Sequence, residues 1–176
     1  MRRQETQQMM RWAVFILFLL ILAAASWQVV VQSQARYRTT AAFRKMESVK
    51  ITVVNDQGER LLLEVRLADE QDDQASGFEG IGPGVILRSA ILVVYDRDTI
   101  THFSTRNVEL PIELAFIRSD GVVLDVILTE PGSVELYSLG TQFRYVLEAP
   151  SGYFQARSIS NRRSALDVGS LGASLE

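Results

Sequence analysis

Twenty consecutive residues, Trp12 to Val31, contain only two polar side chains, Ser26 and Gln28. Such a run constrains the chain more than anything else in it. As a helix it rises ~1.5 Å per residue and covers roughly 30 Å, the thickness of a bilayer's hydrocarbon core. It has no polar face with which to sit on the surface of a soluble domain. Trp12 and Trp27 lie near its two ends, where indoles favour the lipid–water boundary. With Phe15 and Phe18 they form the aromatic part of an expected membrane anchor. A cleaved signal peptide is the rival reading, because Arg2, Arg3 and Arg11 precede the run and Ala23-Ala24-Ala25 resembles a cleavage site. The apolar run continues past those alanines to Val31, which favours a retained anchor.

The anchor divides the chain. Residues 1–11 read as a basic tail, 12–31 as the membrane helix, 32–46 as a juxtamembrane linker or helix extension, 47–171 as a β domain, and 172–176 as a frayed end. Residues 1–45 carry seven Lys/Arg and one Glu, whereas 46–176 carry eleven Lys/Arg against twenty Asp/Glu. A basic segment flanking an apolar one suits anionic headgroups. An acidic domain repels a phosphate backbone, so nucleic acid is not an expected partner. Basic residues on the two sides of the run nearly balance: Arg2, Arg3 and Arg11 before it, Arg36, Arg38, Arg44 and Lys45 after it. The short leading tail favours a cytoplasmic N-terminus and a periplasmic domain. Tyr37 and Phe43, in the linker, are expected on headgroups or a partner, or along a solvated stalk.

The remainder reads as short strands separated by turn residues. Val49, Ile51 and Val53 alternate, Asn55-Asp56-Gln57-Gly58 turns, and Leu61, Leu63, Val65 and Leu67 alternate again, which predicts a hairpin. Asp69–Ala75 suits one or two helical turns, and Gly77–Gly84 reads as a flexible connector. Ile91–Tyr95 predicts a strand ended by a turn at Asp96-Arg97-Asp98. Thr99–Thr105 and Leu114–Ile117 predict two strands joined by a crossing at Pro111, and Val122–Leu128 a third, through Asp120-Gly121. Phe143, Tyr145 and Leu147 alternate with Arg144, Val146 and Glu148; Tyr153–Ile159 suits a helical turn and Leu166–Val168 a closing strand. The fold expected is mainly β, a small barrel or sandwich with one or two short helical turns, preceded by one transmembrane helix.

The order of motifs resembles the DUF192 family of uncharacterised, mostly exported bacterial domains. The family runs through a Glu-Val strand, a short acidic helix ending in Gly-Leu-Met, then Phe-Trp-Met-Lys-Asn, Pro-Leu-Asp, a Phe-Ile-Asp-x-Asp-Gly turn and Arg-Tyr-Leu-Glu. Here stand Glu64-Val65, Gly77-Phe78, Phe103-Ser104-Thr105-Arg106-Asn107, Pro111-Ile112-Glu113, Phe116 through Gly121, and Arg144 through Glu148, with Ser151-Gly152-Tyr153 after them. Ser104, Arg106 and Glu113 replace the family's Trp, Lys and Asp. The resemblance implies a compact β-rich fold and no particular activity.

The chemistry on offer is sparse. With no cysteine, disulfides and thiolate sites are excluded. The single histidine, His102, would have to serve any imidazole mechanism, and it reads instead as a strand-surface residue. No metal motif and no cofactor fingerprint is present. Thr105, Arg106, Asn107, Glu113 and Glu148 are the candidate ligand or partner surface. Glu113 and Glu148 would also be the carboxylates of a hydrolase if they met across strands. Arg106 and Glu113 flank Pro111 and would lock the crossing if they paired. The function expected is a non-catalytic, single-span accessory subunit of a larger inner-membrane complex, with respiratory and photosynthetic complexes as typical hosts. A periplasmic module binding a sugar or envelope fragment is the alternative, and a carboxylate-dependent hydrolase the third.

Overall fold

The computed structural model describes residues 2–172, with side chains described from Trp12 onward apart from those at 13 and 14. The end of the expected frayed tail, 173–176, and the side chains of Arg2, Arg3 and Arg11 lie outside the described residues. The chain forms two compact units, one ending at Tyr37 and one starting at Arg38.

The first unit is one helix, α1, Arg2–Arg36. It takes in the segment read as a basic tail and extends five residues beyond Val31. Over Phe15–Arg36 it is long and apolar enough to cross a bilayer, and none of that stretch is buried. Trp12, Phe15, Phe18 and Trp27 are all exposed.

The second unit begins earlier than the sequence suggests. Thr40 caps a short helix, α2 (Ala41–Lys45), by accepting from the Phe43 N–H. Phe43 and Met46 are buried. The stalk reading therefore fails from Arg38 onward, because Phe43 is a core residue with the Arg66 guanidinium 5.5 Å from its ring.

The β elements follow the alternation. β1 (Ser48–Val54) and β2 (Arg60–Ala68) form the expected antiparallel hairpin. Its turn is built by the Asn55 side chain, which accepts from the Gln57 and Glu59 N–H groups. Next come α3 (Gln71–Ser76), α4 (Pro83–Ile86) and β3 (Ile91–Thr99), which runs parallel to β2. Then β4 (Phe103–Ser104), β5 (Ile112–Ile117), β6 (Val123–Leu128), β7 (Leu136–Tyr137), β8 (Phe143–Pro150), a 3₁₀ turn at Gln155–Arg157, β9 (Ala165–Leu166) and α5 (Val168–Gly172) complete the chain.

Seven strands form one sheet in the order β6-β5-β8-β3-β2-β1-β9. Its edges nearly meet. Val122 bridges Ala165, the Val123 N–H donates to the Ser164 carbonyl at 3.0 Å, and the Leu166 N–H donates to the Gly121 carbonyl at 2.8 Å. The sheet is thus barrel-like, its two edges joined where the start of β6 meets β9. The closure depends on Gly121, since a Cβ there would stand 2.1 Å from the Leu166 carbonyl oxygen. Residues from all seven strands fill the inside, among them Ile51, Val65, Leu92, Ala115, Leu147 and Leu166. A second core covers the outside of β3, β5 and β8, where Phe43, Phe78, Ile86, Phe103, Phe116 and Phe143 pack. The Phe116 and Phe143 rings meet edge-on at 4.9 Å.

Two expectations are corrected. β3 continues through Asp96-Arg97-Asp98 as an exposed strand end instead of turning there. The strand expected over Thr99–Thr105 shrinks to β4, which pairs with β7 in a separate ribbon and not with β5. The reason is local: Gly132 donates its N–H to both the Thr105 and Val108 carbonyls, and the Thr105 hydroxyl donates to the Glu130 carbonyl. These bonds tie 103–108 to the segment before β7.

Candidate functional site

The alternation along β8 sends Tyr145, Leu147 and Ala149 into the barrel, so Val146 and Glu148 face outward. Outward is not solvent here. Glu148 sits between Ile91 on β3 and Leu114 on β5, its partners in register. The end of α3 and the turn after it lie over the carboxyl. Gly77 makes that approach possible: its φ is +42°, and a Cβ there would be 2.8 Å from Glu148 Oε2. The Phe78 N–H donates to the carboxylate. Glu148 is only 4% exposed.

A buried carboxyl among apolar neighbours resists ionisation. Burial pushes Glu148 up to about 7; the Phe78 N–H opposes the shift, and the negative charge of Glu79 adds to it. Among the described residues, no lysine or arginine lines the space beside it. Tyr95, at the edge of the same space, is pushed up to about 12 by its own burial and then by the charge of Glu148.

The space itself is a cleft of about 350 Å³ between α3, the turn Gly77–Glu79, the end of β3, residues 101–105 and the outer face of β5 and β8. Gln74 fixes one wall by donating to the Val94 carbonyl at 2.8 Å and to the Asp69 carbonyl at 3.0 Å. Phe103, Val108, Ile112 and Leu114 make the apolar side. His102 and Ser104 stand exposed at the rim. This combination of an apolar wall and a few converging polar groups is the ordinary form of a small-ligand site. Among the described residues, no three His, Asp or Glu side chains converge as a metal centre would require.

The structure separates the residues singled out from the sequence. Glu148 and Thr105 line the cleft; Arg106, Asn107 and Glu113 do not. Thr105 is buried. Arg106 and Asn107 are exposed in the turn beyond it, where the Asn107 carbonyl accepts from the Gly80 N–H at 3.0 Å. Glu113 lies on β5 beside Leu114 and therefore projects to the opposite side of the sheet from Glu148. Its carboxylate accepts from the Gly152 and Phe154 N–H groups, at 3.0 and 3.3 Å, which folds the loop after β8. The Glu113 carboxylate thus holds a loop instead of locking the Pro111 crossing with Arg106. Glu113 and Glu148 face away from each other across the sheet, so they cannot act together on one bond. Sequence reasoning passed over Tyr95, Gln74 and Glu79 as parts of the site. The adjacent signal was Gly77-Phe78, whose glycine is required by the approach to Glu148.

The chain belongs to the DUF192 family, described as an Uncharacterized ACR, whose model matches residues 52–164. No curated protein matches the chain. Two crystal structures share its fold. One is a candidate transcription regulator from Sinorhizobium meliloti 1021, 20% identical, with a TM-score of 0.64 over 69% of this chain and 94% of that one. The other is a protein of unknown function from Novosphingobium aromaticivorans DSM 12444, 18% identical, with a TM-score of 0.60 over 76% and 96%. At such identities the likeness is one of fold.

Proposed function

We propose that the chain is a single-span, membrane-anchored accessory subunit that presents its DUF192 domain to a larger inner-membrane assembly and acts by binding, not by catalysis. The N-terminus is cytoplasmic and the domain periplasmic in this reading. The observation that carries it is α1: a helix apolar over Phe15–Arg36, with no buried residue in that stretch, leads directly into a folded domain. A soluble protein exposing Phe15, Phe18, Leu20, Ile21 and Trp27 on one helix would aggregate, whereas a bilayer covers them all. Gentle detergent extraction followed by native sizing tests the reading. Co-migration with other membrane subunits is expected; a lone monomer in its micelle, with no companion, counts against it.

The cleft over Glu148 favours a second reading on its own terms, a module that holds a small ligand near the membrane. Its volume and mixed walls suit a molecule of about ten non-hydrogen atoms. The site lies at Glu148, Tyr95 and Glu79 and not at the Arg106–Glu113 surface.

A further inference from the structure

We infer that the cleft over Glu148 takes a small organic cation, a primary amine of the size of a diamine or an amino sugar, with its ammonium on Glu148 and Glu79 and its carbon skeleton against Phe103 and Leu114. The inference deepens the ligand-binding reading of the same cleft and rests on it. Three observations carry it. First, the cleft is lined by two carboxyl groups and by no lysine or arginine. An anion would meet uncompensated negative charge in a poorly solvated recess, where like charges are costly. Second, three donor side chains of the walls, Gln74, Ser76 and Thr105, are committed to backbone carbonyls. Both Gln74 N–H bonds go to backbone carbonyls, the Thr105 hydroxyl to Glu130 and the Ser76 hydroxyl to Asp73. The two carboxyl groups are the charged acceptors of the lining, so the fitting ligand carries N–H donors. Third, Glu148 is a buried carboxyl that accepts from the Phe78 N–H and has the negative charge of Glu79 nearby. A bare metal ion is a poor occupant, because among the described residues no three ligating side chains converge.

The charge state of the floor gives the inference its sign. An ammonium stabilises the carboxylate form of Glu148, so binding expels a proton and strengthens as pH rises. The ionisable groups that line the cleft with Glu148 are Glu79 from the turn after α3, Tyr95 from β3 and His102 from the segment before β4; β5 offers Ile112 and Leu114. α3 faces the cleft with Gln71, Gln74, Ala75 and Ser76, while its Asp72 and Asp73 stand outside the lining. His102 is the one imidazole of the lining, and a His102→Gln variant takes it out of the comparison.

The test is titration calorimetry of the full chain in a non-ionic detergent micelle. The probes are 1,4-diaminobutane and glucosamine, with 1,4-butanediol and glucose as their neutral counterparts. At least one amine should bind about tenfold more tightly than its neutral counterpart. Its affinity should fall by up to about 30-fold between about pH 8 and pH 5.5, and the same trend should persist in His102→Gln. Glu148→Gln should weaken it at least about tenfold at the higher pH and flatten the pH profile. Glu79→Gln, at a partly exposed position, should weaken it several-fold and serves if the core variant does not fold. Equal binding of amine and neutral partner would overturn the cation assignment while leaving a ligand site. Failure of all four probes to bind at about 10 mM would overturn the assignment and the ligand reading together.

Discussion

Replacing Glu148 by glutamine should make the domain more stable at alkaline pH, the reverse of what deleting a useful charge would do. The folded carboxyl titrates near 7 instead of the ordinary 4.5. Between those values the folded protein holds a proton that the unfolded chain has released, so stability falls as pH rises. The contribution of the neutral carboxyl is whole below the unfolded value and is lost as pH climbs through the folded one. At 1.36 kcal/mol per unit the loss is under about 1 kcal/mol at pH 5 and about 3 kcal/mol at pH 8. Glutamine keeps the shape and still accepts from the Phe78 N–H, but it carries no charge to bury. The variant should therefore match the wild type near pH 5 and exceed it at pH 8 by about 10 °C in melting temperature. Both tryptophans, Trp12 and Trp27, lie in α1, so the domain is best followed by circular dichroism of its β signal. Asp120 and Asp167, each held below the usual carboxylate range by an arginine, add a slope of opposite sign at acid pH. The comparison of the two proteins cancels it. If wild type and variant lose stability in parallel from pH 5 to 8, Glu148 is not a buried, uncompensated carboxyl and the description of the cleft floor fails.

Other perturbations follow from the same contacts. Glu113→Ala should cost about 2 kcal/mol, because two N–H groups in the loop after β8 lose a charged acceptor, yet it should leave amine binding unchanged; chemical denaturation and calorimetry on one sample check both. Gly121→Ala should cost at least about 3 kcal/mol, since its Cβ would collide with the Leu166 carbonyl where β6 and β9 approach; a melting curve close to wild type would mean the barrel does not close there. The chain has no cysteine, so Gln57→Cys in the exposed β1–β2 turn provides a unique label. A membrane-impermeant maleimide should modify it once the outer membrane is permeabilised while the inner membrane is intact; labelling only after inner-membrane lysis would reverse the proposed orientation.

Much of the fold was legible because the domain obeys the two-residue period. The β1–β2 hairpin could be read from Val49 to Leu67, since its turn is specified by Asn55 and Gly58 and its inward face is uniformly aliphatic. The same period set Val146 and Glu148 on the face of β8 opposite Tyr145 and Leu147, but Phe143, read with those two, packs in the outer cluster, past the register shift between β3 and β8. What the period cannot report is that this face is covered. The cover comes from α2, α3, α4 and the β4–β7 ribbon, short elements whose local signals are weak. Phe43 shows the difficulty: in a basic, glycine-free stretch beside a membrane helix it reads as part of a stalk, although it is buried against Phe78. The site was half visible for a related reason. Its floor lies on β8, its lid between β2 and β3, and its rim before β4, so only tertiary pairing unites them. Glu113 attracted attention as a polar group in an apolar strand, but two backbone donors in the loop after β8, far along the sequence, explain its presence.

The central claim is that α1 stays with the domain and holds it in a bilayer. Membranes from cells making the full chain, washed in alkaline carbonate and then analysed by intact mass, test this most directly. The account predicts that the protein remains in the washed pellet with a mass that includes Trp12–Val31. Release into the wash, or a recovered chain cut after Ala25, would contradict it.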